Sequence, residues 1–90
     1  MVWNIIVTDT FSKEFKRYKK DKNFMNILDK KIKRLQENPE NVGGWLSGKL
    51  HGYKSTRIMG KLRLLFRINY DNYSVYLGAI DHRKFDYMRF

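Results

Sequence analysis

Six consecutive residues, His82-Arg83-Lys84-Phe85-Asp86-Tyr87, bring together an imidazole, a guanidinium, an ammonium, a carboxylate and a phenol. They follow an apolar stretch, residues 75–80, that reads as a β-strand. A strand end can hold polar side chains rigidly and still leave them exposed. His82 is the natural proton-transfer group, because its reference pKa lies closest to neutral. Surrounding cations would also lower the pKa of Tyr87 and fit it to act as a base. Phe85 reads either as a base-stacking platform or as a plug for the core. His51, beside Gly52 in a loop, reads as structural or as a bystander.

Other chemistries find little support. The chain has no cysteine, which excludes disulfides, thiolate nucleophiles and thiolate metal sites. With two histidines and no carboxylate cluster, neither a metal site nor a cofactor is expected. Gly43-Gly44 and Gly48 do not open a helix, so no phosphate-cradling loop is present. Serine-nucleophile chemistry lacks its elbow motif. The set that remains is Arg, Lys, His and Tyr, which suits metal-free cleavage of RNA. A base takes the ribose 2′-OH proton, that oxygen attacks the adjacent phosphate, and an acid protonates the departing 5′-oxygen. Cations stabilise the phosphorane, and aromatic rings stack the bases.

Charge points the same way. Nineteen Lys and Arg face nine Asp and Glu, a net +10 that steers the chain toward polyanions. Nucleic acid, an anionic membrane surface or an acidic protein would each satisfy that balance. No stretch approaches the roughly 18 apolar residues of a membrane span. Met1-Val2-Trp3-Asn4 shows no secretory leader, so a cytoplasmic protein without a membrane partner is expected. Residues 1–90 are the length of one domain with a single core.

The elements that would position these groups are legible in outline. Residues 3–7 read as a strand. Thr8, Asp9, Thr10 and Ser12 offer helix caps, and Phe11, Phe15 and Tyr18 then fall on one helical face. A second helix carries Phe24, Ile27, Leu28, Ile32 and Leu35 inward and stops at Asn38-Pro39. Residues 40–48 read as a loop. Residues 53–59, 62–70 and 73–81 then alternate as three strands. The order β-α-α-β-β-β predicts an α+β domain. Its two helices, both in the N-terminal half, pack on one face of a mainly antiparallel four-stranded sheet. A short further element is expected at residues 84–90.

Alternation assigns the faces. Leu62, Leu64, Phe66 and Ile68 should meet the helices, which turns Arg63 and Arg67 to the other side. Val75, Leu77 and Ala79 read as core, so Tyr76, Gly78, Ile80 and His82 share the opposite face. Ile58 suits the core, so Arg57 and Met59 look outward with Tyr53 and Ser55. The helix-free face thereby collects Arg57, Arg63, Arg67, Tyr76 and His82. An ordinary solvated face mixes signs, whereas here the nearby acids are few: Asp71, Asp81 and Asp86. The pattern favours a surface that binds polyanions.

These pieces together resemble the RelE/ParE superfamily of toxins from type II toxin–antitoxin systems. The matching residues are Lys49-Leu50 with Gly52 after a Pro-stopped helix, Gly60-Lys61-Leu62-Arg63-Leu64-Leu65-Phe66, and His82-Arg83-Lys84 with Tyr87. Each motif is weak alone. In order and at family spacing they span nearly the whole chain. The resemblance implies a ribosome-dependent mRNA endonuclease (an mRNA interferase) neutralised by a cognate antitoxin, with contacts to ribosomal RNA. It also implies roles. Arg63 looks like the family's phosphate-stabilising arginine, Arg83 like its second arginine, and Tyr87 like its C-terminal tyrosine. His82 is similar to the acid or base histidine of the YafQ and HigB branches. Lys54 is the nearest match to one of two alternating RelE lysines, and Thr56 stands where the other would fall. Arg57 is a substitute of opposite parity. The alternatives are a ParE-like toxin that acts on DNA gyrase without nuclease chemistry, and a basic RNA-binding module.

Overall fold

The structure, a computed structural model, describes residues 2–82, with His82 described through its backbone alone. Strand β1 (Asn4–Val7) leads into helix α1 (Asp9–Phe15) through Thr8. The Thr8 hydroxyl accepts from the Phe11 N–H at 3.3 Å and donates to the Leu77 carbonyl at 2.8 Å. One side chain therefore caps the helix and ties its start to the sheet. The helix is shorter than the apolar spacing predicts. Past Phe15 the chain tightens into turns, with Arg17 bonded to Glu14 and Tyr18 to Phe15. This lets Tyr18 stack on Phe24 at 5.1 Å, which joins the end of the first helical segment to the start of the second.

Helix α2 (Lys22–Glu37) starts at Asp21, whose carboxylate accepts from the Phe24 N–H. It buries Phe24, Leu28 and Leu35 against the sheet. Each such side chain contributes roughly 1.5–3 kcal/mol by leaving water. Asn38 ends the helix because Pro39 disfavours helical backbone before it. Pro39–Asn41 then forms one 3₁₀ turn.

The sheet has five strands, not four. Their order is β1-β5-β4-β3-β2, where β2 is Gly44–Trp45, β3 Tyr53–Met59, β4 Leu62–Asn69 and β5 Ser74–His82. Strand β1 runs parallel to β5 and the other pairs are antiparallel. Strand β2 escapes sequence reading because two residues, one a glycine, carry no period. Gly43 brings it in: φ is +67°, and a Cβ there would lie 2.1 Å from the Ser55 carbonyl oxygen. Only glycine permits that approach.

Two irregularities change which way side chains face. Leu65 pairs with Ala79 but Phe66 pairs with Leu77, so Gly78 is an extra residue in β5. Beyond that bulge the parity inverts. Ile80, expected on the open face, lies in the helix-side core, and Ala79, expected in the core, lies on the other side. Likewise Arg57 pairs with Arg63 but Met59 with Leu62, and Met59 packs toward the helices rather than outward. Among the described residues, no helix is long and apolar enough to cross a membrane.

Candidate nucleic-acid interface

The face away from the helices is built from three cross-strand rows. Residues directly opposite in an antiparallel pair share a face about 5 Å apart. The first row is Arg57, Arg63 and Asp81, across β3, β4 and β5. The middle row is Ser55, Leu65 and Ala79, and the third is Tyr53, Arg67 and Tyr76. Leu65 and Ala79 form a small second core under Leu50, with Leu46 and Tyr53 packed against it. The basic face is therefore not continuous. An apolar ridge divides it into two ends.

At the first end the guanidinium of Arg63 is half-buried, and its Nε donates to the Ser55 hydroxyl at 3.4 Å. That bond uses Nε and not the two terminal nitrogens, the fork with which an arginine grips a phosphate. Arg57 is exposed, and its Nε donates to the Gly60 carbonyl at 3.1 Å. Two arginines directly opposite put two positive charges on neighbouring strands, a pairing suited to an anion that reaches both. Asp81, 1% exposed, completes the row beyond Arg63.

At the other end Arg67 is exposed and lies over the Tyr76 ring, 5.1 Å from its centre. The Tyr76 hydroxyl accepts from the Asn72 amide at 3.4 Å.

Lys54, expected to bind RNA, does not reach this face. It is 1% exposed and points to the helix side. Its Nζ donates to the Glu40 carbonyl at 2.5 Å and to the Pro39 carbonyl at 3.4 Å, and sits 4.9 Å from the centre of the Trp45 ring. Burial pushes its pKa down, and the Glu40 carboxylate acts against that. The alternation that gave Lys54 its parity was right, but the side it selects is occupied by the turn after α2. Thr56, on the same side, accepts from Lys31 of α2.

The grouping of His82 with Arg63 also rested on unbroken alternation in β5. His82 pairs with Leu62, while the partner of Arg63 is Asp81. Arg83, Phe85 and Tyr87 lie outside the described residues, as does the expected element at 84–90. Tyr53 and Ser55 do lie on the outward face where alternation puts them, but sequence reasoning missed Asp81 as the cross-strand neighbour of Arg63 and Leu65 and Ala79 as the row between the arginines. Leu65 was the available signal: a second apolar residue beside Leu64 in an alternating strand requires something to cover the open face.

The sequence has no significant match among models of protein families or among curated proteins. Solved structures do match. A chain of the toxin–antitoxin complex RelBE2 from Mycobacterium tuberculosis is 25% identical, with 92% of this chain and 93% of that chain covered at a TM-score of 0.77. The chain has the RelE-like toxin fold. A YoeB/ParE toxin from Agrobacterium tumefaciens superposes at a TM-score of 0.78 with 17% identity, over 88% of this chain and 96% of that one. YafQ from Escherichia coli superposes at 0.75 with 17% identity, over 90% and 93%. In this RelE-like sheet Arg63 lies on the strand between β3 and β5, with a cross-strand neighbour on each side.

Proposed function

We propose that the protein is the toxin of a toxin–antitoxin pair and cleaves mRNA on the ribosome without a metal ion. The observation that carries this reading is the Arg57–Arg63 pair, two cations set directly opposite on the open face of a RelE-like sheet. A phosphate seated between them would pair with both cations. In the proposed reaction one proton-transfer group removes the 2′-OH proton, and the 2′-oxygen bonds to phosphorus as the bond to the 5′-oxygen breaks. A second group gives that oxygen its proton. The products are a 2′,3′-cyclic phosphate and a 5′-hydroxyl. Arg63 neutralises charge gathering on the non-bridging oxygens, and Arg57 adds to the field. His82 and Tyr87 are the proton-transfer residues of this proposal, with Arg83 a further phosphate contact. The partner is an antitoxin whose acidic surface complements the +10 chain.

Inducible expression with mapping of mRNA 5′ ends tests the reading. Cuts within translated codons are expected. Arg63→Ala should abolish them and leave the melting temperature within a few degrees. Intact mRNA accompanied by DNA damage would overturn the nuclease in favour of action on gyrase. Growth without inhibition would favour a plain RNA-binding module.

A further inference from the structure

The third row of the open face is not explained by the cleavage chemistry. Arg67 stands between Tyr53 on β3 and Tyr76 on β5, so both its cross-strand neighbours are phenols. Arg63 differs in having Asp81 beside it. Arg67 is exposed and laid over the Tyr76 ring, which fixes the guanidinium plane and lowers the entropy lost when it binds. Four residues along β4 separate it from Arg63, about 13 Å. That is about four times the ~3.4 Å rise of a stacked strand, a spacing that suits phosphates of different nucleotides. The ridge of Leu65, Ala79 and Leu50 lies between the rows.

We propose that Tyr53, Arg67 and Tyr76 form a second subsite for the same single-stranded RNA. Arg67 takes a backbone phosphate several nucleotides from the one held by Arg63, and Tyr76 is the residue that positions Arg67. The proposal rests on the nuclease reading above and extends it. The RNA then passes over the apolar ridge from the Arg63 end to the Arg67 end, which makes affinity depend on strand length. Arginine between aromatic rings on an open sheet face suits single-stranded RNA, which is bound by phosphate pairing and stacking together. An acidic protein segment would need only the charge.

The test uses the full chain and two fluorescent RNAs with 2′-O-methyl sugars, a dinucleotide and a hexanucleotide, titrated by anisotropy across a salt series. Wild-type protein should bind the hexanucleotide more tightly. Arg67→Gln should weaken the hexanucleotide about tenfold, lower its salt slope by about 0.7, and leave the dinucleotide unchanged. Tyr76→Leu should weaken the hexanucleotide and Tyr76→Phe should restore it, because the ring, not the hydroxyl, orients the guanidinium. The proposal is overturned if Arg67→Gln binds both RNAs like wild type while Arg63→Gln binds neither, which leaves the nuclease reading intact. It is also overturned if Arg67→Gln loses only its complex with the antitoxin. If neither Arg63→Gln nor Arg67→Gln alters RNA binding, the second subsite is overturned, and the mapping of mRNA 5′ ends alone decides the nuclease reading.

Discussion

Replacing Lys54 by methionine separates a structural lysine from an RNA-binding one. Methionine keeps the apolar stem and removes the ammonium. The Pro39 and Glu40 carbonyls then lose a charged donor at a position only 1% exposed. A hydrogen bond to a charged group contributes about 1.5–3 kcal/mol. The 2.5 Å bond to Glu40 counts in full, and the 3.4 Å bond to Pro39 counts for a fraction of that. The contact with the Trp45 ring, which is 58% exposed, adds about 0.5 kcal/mol. Relief from burying a cation works the other way, so a net loss of about 2–3 kcal/mol is expected. For a domain of 90 residues, 1 kcal/mol moves the melting temperature by about 4–8 °C. Lys54→Met should therefore melt roughly 8–24 °C lower by circular dichroism, and below that transition it should bind RNA within about twofold of wild type. An unchanged melting temperature with lost RNA affinity would refute this argument, because Lys54 would then have to reach the substrate.

Gly43→Ala should cost about 2–5 kcal/mol in urea unfolding. The left-handed backbone contributes about 1–2 kcal/mol, and displacing the Ser55 carbonyl contributes the rest. Equal midpoints for the two proteins would show that β2 does not need the close approach. Tyr70 gives a pH dependence. Its hydroxyl donates to the Glu40 carboxylate at 2.7 Å, and that bond, with some burial and the carboxylate's charge, holds the phenol pKa above its ordinary value. A raised folded pKa gives stability that is fully present below the unfolded value of about 10 and is lost as pH rises through the folded one. Tyr70→Phe should thus melt lower than wild type at pH 8, with the gap closing above about pH 10. A gap constant through that range would rule the bond out as its source.

The two helices and three long strands were legible because their apolar periods are clean and their ends are marked by Thr8, Asp21 and Pro39. The open face was legible only in part. Arg57, Arg63, Arg67 and Tyr76 fall where alternation puts them. Ile80, Ala79 and Met59 do not, because a bulge shifts parity by one and leaves no mark that a period-two reading detects. A glycine inside a strand is the clue, and Gly78 was read as an ordinary member of its face. Lys54 failed for a different reason. A period tells which residues share a side, but not what else has been packed there. The turn at Pro39 and Glu40 comes 14–15 residues before Lys54, and its docking over that side chain is a tertiary contact that no local period shows.

The parallel pairing of β1 with β5 also has a kinetic consequence. Asn4 lies beside Ser74, and β5 sits between β1 and β4. The first strand of the chain therefore has no partner until the last described strand has been made. Until then β1 has no hydrogen-bonded neighbour in the sheet, and the core lacks Val75, Leu77 and Ile80. The loop spanning that contact encloses nearly the whole domain, and closing so long a loop costs entropy and slows folding. Chains interrupted before β5 should stay open and be cleared by proteases, so the arginine rows assemble only after nearly all the chain has been translated.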